Sequence, residues 1–190
     1  MQSAITSFLE FQTAQPPVAP RVVRARSKWL APSSDSFKIN FDGAVFKERD
    51  RARIGVIIRD CHGLVMASMS QIIPLPLIVV ELETLAAIKA LEFATDLGLA
   101  SVVLEGDLEI LTNPLMNASL SLASFGLLIQ DIKAYAEFFQ YISFSHVRKG
   151  NIVAHILLRH ACHVTGFSVW MKDVPSHTFV AYQANLPFYV

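Results

Sequence analysis

Cysteine is scarce: only Cys61 and Cys162 occur in 190 residues. Two thiols in this arrangement make neither a disulfide framework nor a metal-type spacing, so a reducing compartment is the expected setting. Charge is scarce too, at 17% of residues, and it cancels, with sixteen basic side chains against sixteen acidic ones. The chain as a whole therefore has no pull on a polyanion or an anionic membrane, and any hold on nucleic acid must come from a local patch or from bound cations. Long apolar runs are missing. The longest, "IIPLPLIVV" at 72–80, is interrupted by two prolines and is too short to cross a bilayer. The opening "MQSAITSFLEFQTAQPP" lacks a basic start followed by an unbroken apolar stretch, so no secretory signal is expected. There is no glycine-rich phosphate loop to support a small-molecule α/β enzyme, and no internal repeat. A soluble intracellular protein, taken as a monomer and not membrane-bound, is the expectation.

What the sequence does have is apolar mass, 53% of residues, enough for the core of one domain. Residues 1–35 read as a poorly structured leader, rich in proline and serine. Within it "RVVRARSK" gathers Arg21, Arg24, Arg26 and Lys28; a solvated tail is the plain reading, phosphate contact or targeting the other. The folded domain is expected over 36–165 and a tail over 166–190, whose "FSVWMKDVPSHTFVAYQANLPFYV" finds no place in the pattern.

Three β-rich runs open the domain: "FKINFDGAVF", "RIGVIIRD" and "GLVMASMSQII", the spacing of an antiparallel meander. Asp42-Gly43 inside the first is also a strong hairpin-turn signal. A turn there would leave only "AVF" as a second arm, so a continuous strand is preferred. A helix follows over "LIVVELETLAAIKALEFATDLGLA", stopping at Gly98, then the strand "SVVLEGD" and a short helix "LEILTNPL". The remaining elements are a helix in "SFGLLIQDIKAYAEFF", the strand "YISFSHV" and a last helix "NIVAHILLRHACHV". This order predicts an α/β (α+β) fold with a mixed sheet: an antiparallel meander, then strands added in parallel through helical crossovers.

Three carboxylates stand out. Along the first strand Lys38, Asn40 and Asp42 share one face and Phe37, Ile39 and Phe41 the other. Gly43 and Ala44 keep the surface beside Asp42 low enough for a bulky ligand. On the helix, Glu81 falls with Glu92 and Asp96 on the wet face, whereas Glu83 lines up with Ala87, Ala90 and Ala94 at the edge of the buried arc. An edge glutamate making one salt bridge is the plain alternative. Asp107 closes a parallel strand, where open α/β sheets place ligands, although it also suits the N-cap of the next helix. If the three meet, their repulsion calls for a cation, and hard oxygen donors with room for water describe Mg²⁺ better than zinc. Two such ions clamp the attacking water and the leaving oxygen of a phosphodiester. His155, His160, His163 and Cys162 crowd one helix, but no spacing among them makes four convergent ligands.

Together, "KINFDGA", "GVIIRD", "LAAIKALEFA", "LEGD" and the stretch from His146 through Asn151 and "VAH" to "LLRHA" resemble the type-I ribonuclease H domain. The resemblance is closest to its plant retroelement-derived, reverse transcriptase-like version and spans about residues 29–173, from Trp29 to "VWMKDVP". It implies a five-stranded ribonuclease H-like sheet whose central strand carries the first aspartate. It further implies cleavage of the RNA strand of RNA–DNA hybrids with two Mg²⁺ ions, Mn²⁺ being a possible substitute. Asp42, Glu83 and Asp107 match the metal-holding acids, and Asn40 and the Gly43 region would lie near the substrate backbone. The fourth acid of active relatives falls at His155, a poor Mg²⁺ ligand. Arg53 stands where relatives have glycine, Leu108 where they have serine, and Pro114 interrupts a helical segment. The loop in "HVRKGN" is short, and His146 reads as a strand-end structural residue. A catalytically inactive nucleic-acid-binding module of the same fold is the competing expectation.

Overall fold

A computed structural model describes residues 29–46, 51–76, 79–107, 126–147, 151–161 and 166–186. Its elements are β1 (Phe37–Phe46), β2 (Arg51–Arg59), β3 (Val65–Pro74), α1 (Val79–Asp96), β4 (Ser101–Gly106), α2 (Gly126–Ala136), β5 (Tyr141–His146), α3 (Ile152–His160), β6 (Phe167–Met171) and α4 (Ser176–Asn185). The "LEILTNPL" segment with Leu108 and Pro114, the basic run 21–28, and Cys162 and His163 lie outside the described residues.

Asp42-Gly43 does not turn. β1 continues through it, with Asp42 facing Gly55 and Gly43 facing Ile54 in the antiparallel ladder to β2. A chain committed to pairing along its whole length has no free end at which to reverse, which overrides the local turn preference of the dipeptide. The sheet order is β5-β4-β1-β2-β3-β6, with β4 parallel to β1, β5 parallel to β4, and β6 antiparallel to β3.

There is one strand more than the five expected. Residues 167–171, read from the sequence as part of a tail, add β6 to the open edge of β3, and α4 follows. Five residues with weak alternation carry little sequence signal; the edge of β3 supplies the missing partner. Trp29, read as leader, is likewise packed and only 2% exposed. Among the described residues no helix is long and apolar enough to cross a membrane.

The two sheet faces differ. Ile39 and Phe41 of β1 and Ile54, Val56 and Ile58 of β2 join Leu82, Ala86, Ala87, Ala90 and Leu91 of α1 in the main core, with Ile129 and Ile132 of α2 behind. α1 closes at Gly98, whose φ of +69° is a conformation that side-chain-bearing residues avoid. The other face is covered by α3 and α4 around Ile57, Val153, Leu157, Val174 and Tyr182. Glycines set both distances. A side chain at Gly43 would meet Leu82 Cγ at 3.0 Å, so this glycine seats α1 and not a ligand, correcting the expectation of a low surface beside Asp42. At Gly55 a Cβ would stand 2.2 Å from the Ala154 carbonyl oxygen, so α3 rests its backbone directly on β2. Because Asp42 and Gly55 are register partners and share a face, that contact brings α3 to Asp42.

Candidate active site

Periodicity assembles the site. β1 and β4 are in parallel register up to Asn40 opposite Glu105. Two residues further along come Asp42, on β1, and Asp107, just past the end of β4. They line one cleft of about 420 Å³ with Val147, Asn151, Ile152, His155 and Ile156. Asp42 is a quarter exposed and its Oδ2 lies 2.8 Å from His155 Nδ1. Burial lifts the Asp42 carboxyl above its ordinary range against the pull of His155, and Asp107 adds to the rise.

Glu83 is half-buried on α1 and does not line this cleft. It sits, as its position in the helix predicts, beside the fully buried Ala87, Ala90 and Ala94. Its carboxyl is pushed up to about 7, first by burial and then by the charges of Asp107 and Asp42. Glu83 thus feels both aspartates, and Asp42 feels Asp107, across the end of the sheet. They are not a closed cage: among the described residues no three His, Cys, Asp or Glu side chains form a ready-made metal cluster. Charge repulsion acts over a longer range than coordination. Each aspartate has a histidine beside it: Asp42 Oδ2 meets His155 Nδ1, and Asp107 Oδ1 lies 3.7 Å from His146 Nε2. Both ring nitrogens of His146, the last residue of β5, are shielded and have no hydrogen-bond partner among the described residues.

Behind the acids lies a polar lattice that the sequence reading did not collect. Lys38 Nζ donates to Glu105 Oε2 at 2.8 Å, and Asn40 Nδ2 donates to Glu105 Oε1 and to Asn151 Oδ1, each at 2.8 Å. Asn40 Oδ1 accepts from Trp29 Nε1 and from Arg59. Arg59, 1% exposed, also donates to Asn185 of α4 and stacks on the Trp29 ring at 4.4 Å. Burial pushes its guanidinium down to about 9, with Tyr182 and Glu105 pulling it back, so it remains a cation at neutral pH. Asn40, expected near a substrate backbone, is 1% exposed and fully engaged inside the protein. Alternation held the clue to this lattice: stepping back two residues from Asp42 gives Asn40 and Lys38, and from Asp107 it gives Glu105. Arg53, in place of the expected glycine, is buried over the Phe46 ring at 3.8 Å.

The fold and the strand order define a ribonuclease H-like domain. The chain belongs to the reverse transcriptase-like family, whose model matches residues 40–161. Among solved structures it is similar to ribonuclease H1 from the halophilic archaeon Halobacterium salinarum NRC-1, at 25% identity and TM-score 0.54 over 67% of this chain and 98% of that one. A second is the N-terminal RNase H domain of a Mycobacterium tuberculosis protein, at 22% identity and TM-score 0.53 over 67% and 94% of the two chains. A third is LC11-RNase H1, solved in complex with an RNA/DNA hybrid, at 21% identity and TM-score 0.53 over 66% and 95%. No curated protein matches the chain.

Proposed function

We propose that this chain hydrolyses the RNA strand of RNA–DNA hybrids with a bound divalent cation, Mg²⁺ or in its place Mn²⁺, held by Asp42, Glu83 and Asp107. One observation carries the reading. Burial raises the proton affinity of Asp42 on β1 and of Glu83 on α1, and the charge of Asp107 at the end of β4 adds to both in a ribonuclease H-like fold, a conflict that a cation relieves. The donor set fits such an ion in kind, being all carboxylate oxygen. When bound, the cation polarises the phosphate and offsets charge growing on the leaving oxygen. Support for the substrate comes from LC11-RNase H1, whose structure holds an RNA/DNA hybrid.

The chain's own residues do the rest. The cleft between β1, the end of β4 and α3 admits a phosphate group to Asp42 and Asp107. With Asp42 ionised, His155 Nδ1 carries the proton between them, which leaves Nε2 as the ring nitrogen with a free lone pair. His155 is half-exposed, so Nε2 can take up or release a proton at the cleft. The same histidine brings no negative charge where a fourth carboxylate would sit, which predicts slow turnover and a preference for Mn²⁺.

The Asp42–His155 contact also favours a second reading, a binding module without cleavage, because it occupies an oxygen that a cation would need. One assay separates them: cleavage of a labelled hybrid by the parent and by Asp42→Asn, with Mg²⁺ and with Mn²⁺. Metal-dependent cleavage that vanishes in the variant supports hydrolysis. Equal cleavage by both refutes the assignment of Asp42. Hybrid binding by both, with no cleavage by either, selects the binding module.

A further inference from the structure

Asn151 occupies the N-cap position of α3, yet its side chain makes no cap hydrogen bond. Asparagine is among the best capping residues, so a side chain that forgoes the cap is engaged elsewhere. Here it is engaged with the sheet. Asn151 Nδ2 donates to the Phe41 carbonyl oxygen at 2.7 Å and more weakly to that of Glu105 at 3.3 Å, while Oδ1 accepts from Asn40 Nδ2 at 2.8 Å. One side chain thus ties the start of α3 to both β1 and β4.

These bonds close a ring through the site. Phe41 O belongs to the peptide that leads into Asp42. Asp42 Oδ2 meets His155 Nδ1, and the His155 backbone N–H donates to Asn151 O at 2.8 Å, returning to the starting residue. We infer that Asn151 is a positioning residue: its amide sets the separation between β1 and the first turn of α3, and so holds Asp42 and His155 in contact. The inference rests on reading these two as the working pair of the proposed nuclease, although the geometric claim stands without cleavage. Its anchor is stiff, because Asn40 is held from three further sides by Trp29, Arg59 and Glu105. An aspartate could not serve, since its oxygens would face the Phe41 and Glu105 carbonyl oxygens with no proton to offer.

Serine caps a helix about as well as asparagine but cannot span to β1, so Asn151→Ser tests the bridge while keeping the helix start. The readout is the pair of ¹⁵N ring signals of His155 at fixed pH in metal-free buffer. In the parent they should report the tautomer protonated at Nδ1, and in Asp42→Asn an unpaired ring. Asn151→Ser should move them most of the way to the Asp42→Asn values. Asn185→Ala, which removes another member of the same lattice far along the chain, should lower the melting temperature and leave them in place. Unmoved signals in a folded Asn151→Ser protein overturn the inference. Should that variant not fold, deuterium exchange of the Asn151 side-chain amide in the parent decides: slow exchange supports the bridge, and exchange at the rate of a free amide overturns it. If hybrid is cleaved, Asn151→Ser should lower kcat about a hundredfold with little change in KM, the signature of misplaced groups. Absence of cleavage in every variant would remove the proposed nuclease and leave the ring-signal result intact.

Discussion

Glu83→Gln should stabilise the metal-free protein at pH 8 and do nothing comparable at pH 4.5. The Glu83 carboxyl of the folded protein holds its proton up to about 7, against an ordinary value of 4.5. Between those two values the folded state binds more protons than the unfolded chain, and stability falls as pH rises. The penalty is thus absent below the lower value and complete above the upper one, opposite in sign to the usual salt-bridged carboxylate. A tenfold change in acid strength is worth about 1.4 kcal/mol, so the gap sets a ceiling of about 3.4 kcal/mol. Glu83 is half open to solvent, and screening reduces this to ~1–1.5 kcal/mol. For a domain of this size that corresponds to ~3–5 °C in melting temperature.

The assay is thermal unfolding of parent and variant in chelator at a series of pH values, then with Mg²⁺ or Mn²⁺ added at pH 8. The two melting temperatures should converge toward pH 4.5 and separate with the variant higher toward pH 8. Adding the cation should raise the parent and close the gap, since an ion shared with Asp42 and Asp107 removes the repulsion that the glutamine never had. A gap independent of pH, or a variant less stable than the parent at pH 8, would show that neither burial nor the two aspartates lifts the Glu83 carboxyl.

Three other outcomes follow from the same geometry. Gly55→Ala should cost ~1–3 kcal/mol in denaturant unfolding, because its methyl group would occupy space held by the α3 backbone; an unchanged midpoint would mean that α3 does not rest on β2 there. Lys38→Met should cost ~3–5 kcal/mol by leaving the Glu105 carboxylate buried and unpaired, and adding Glu105→Gln should recover part of it in a double-mutant cycle; strict additivity would contradict the pair. His155→Asp should lower metal-free stability by adding a negative charge beside Asp42, while tightening cation binding in calorimetry and raising cleavage; no change in either would place His155 outside the working site.

Much of this arrangement is legible without coordinates, and the reason is periodicity. Alternation put Lys38, Asn40 and Asp42 on one face of β1, and the helical period put Glu83 beside an alanine row. Both are properties of a single element. Gly55 and Asn151 are of another kind. Nothing local marks Gly55 as the point where a helix more than ninety residues away touches the sheet, and an asparagine at a helix start reads as a cap. Their roles depend on register between distant segments, which one sequence does not encode in any short window. The same holds for Trp29, Arg59 and Asn185, which meet only because β2, α4 and the approach to β1 converge. β6 was hidden for a simpler reason: five residues with three apolar side chains left half-exposed carry no clear buried face.

The local rules that this chain breaks are gathered at one end of β1. Two half-buried carboxylates carry raised proton affinity, a cap position forgoes its cap, and a glycine sits mid-strand where it weakens the ladder. Each departs from a local rule that an ordinary substitution would restore: Gln at 83, Ser at 151, Ala at 55. Scattered over a surface, such violations would be noise. Those at 55 and 151 share a cause, because the glycine brings α3 down, the asparagine ties it, and the descent delivers His155 to Asp42 in the cleft. Consistency among levels is the rule for residues that only fold a protein, and its coordinated failure marks the residues that do something else. Gln at 83 should give a metal-free protein at least as stable as the parent above neutral pH, Ser at 151 and Ala at 55 should fold less well, and all three should hold a cation or its substrate less well than the parent does.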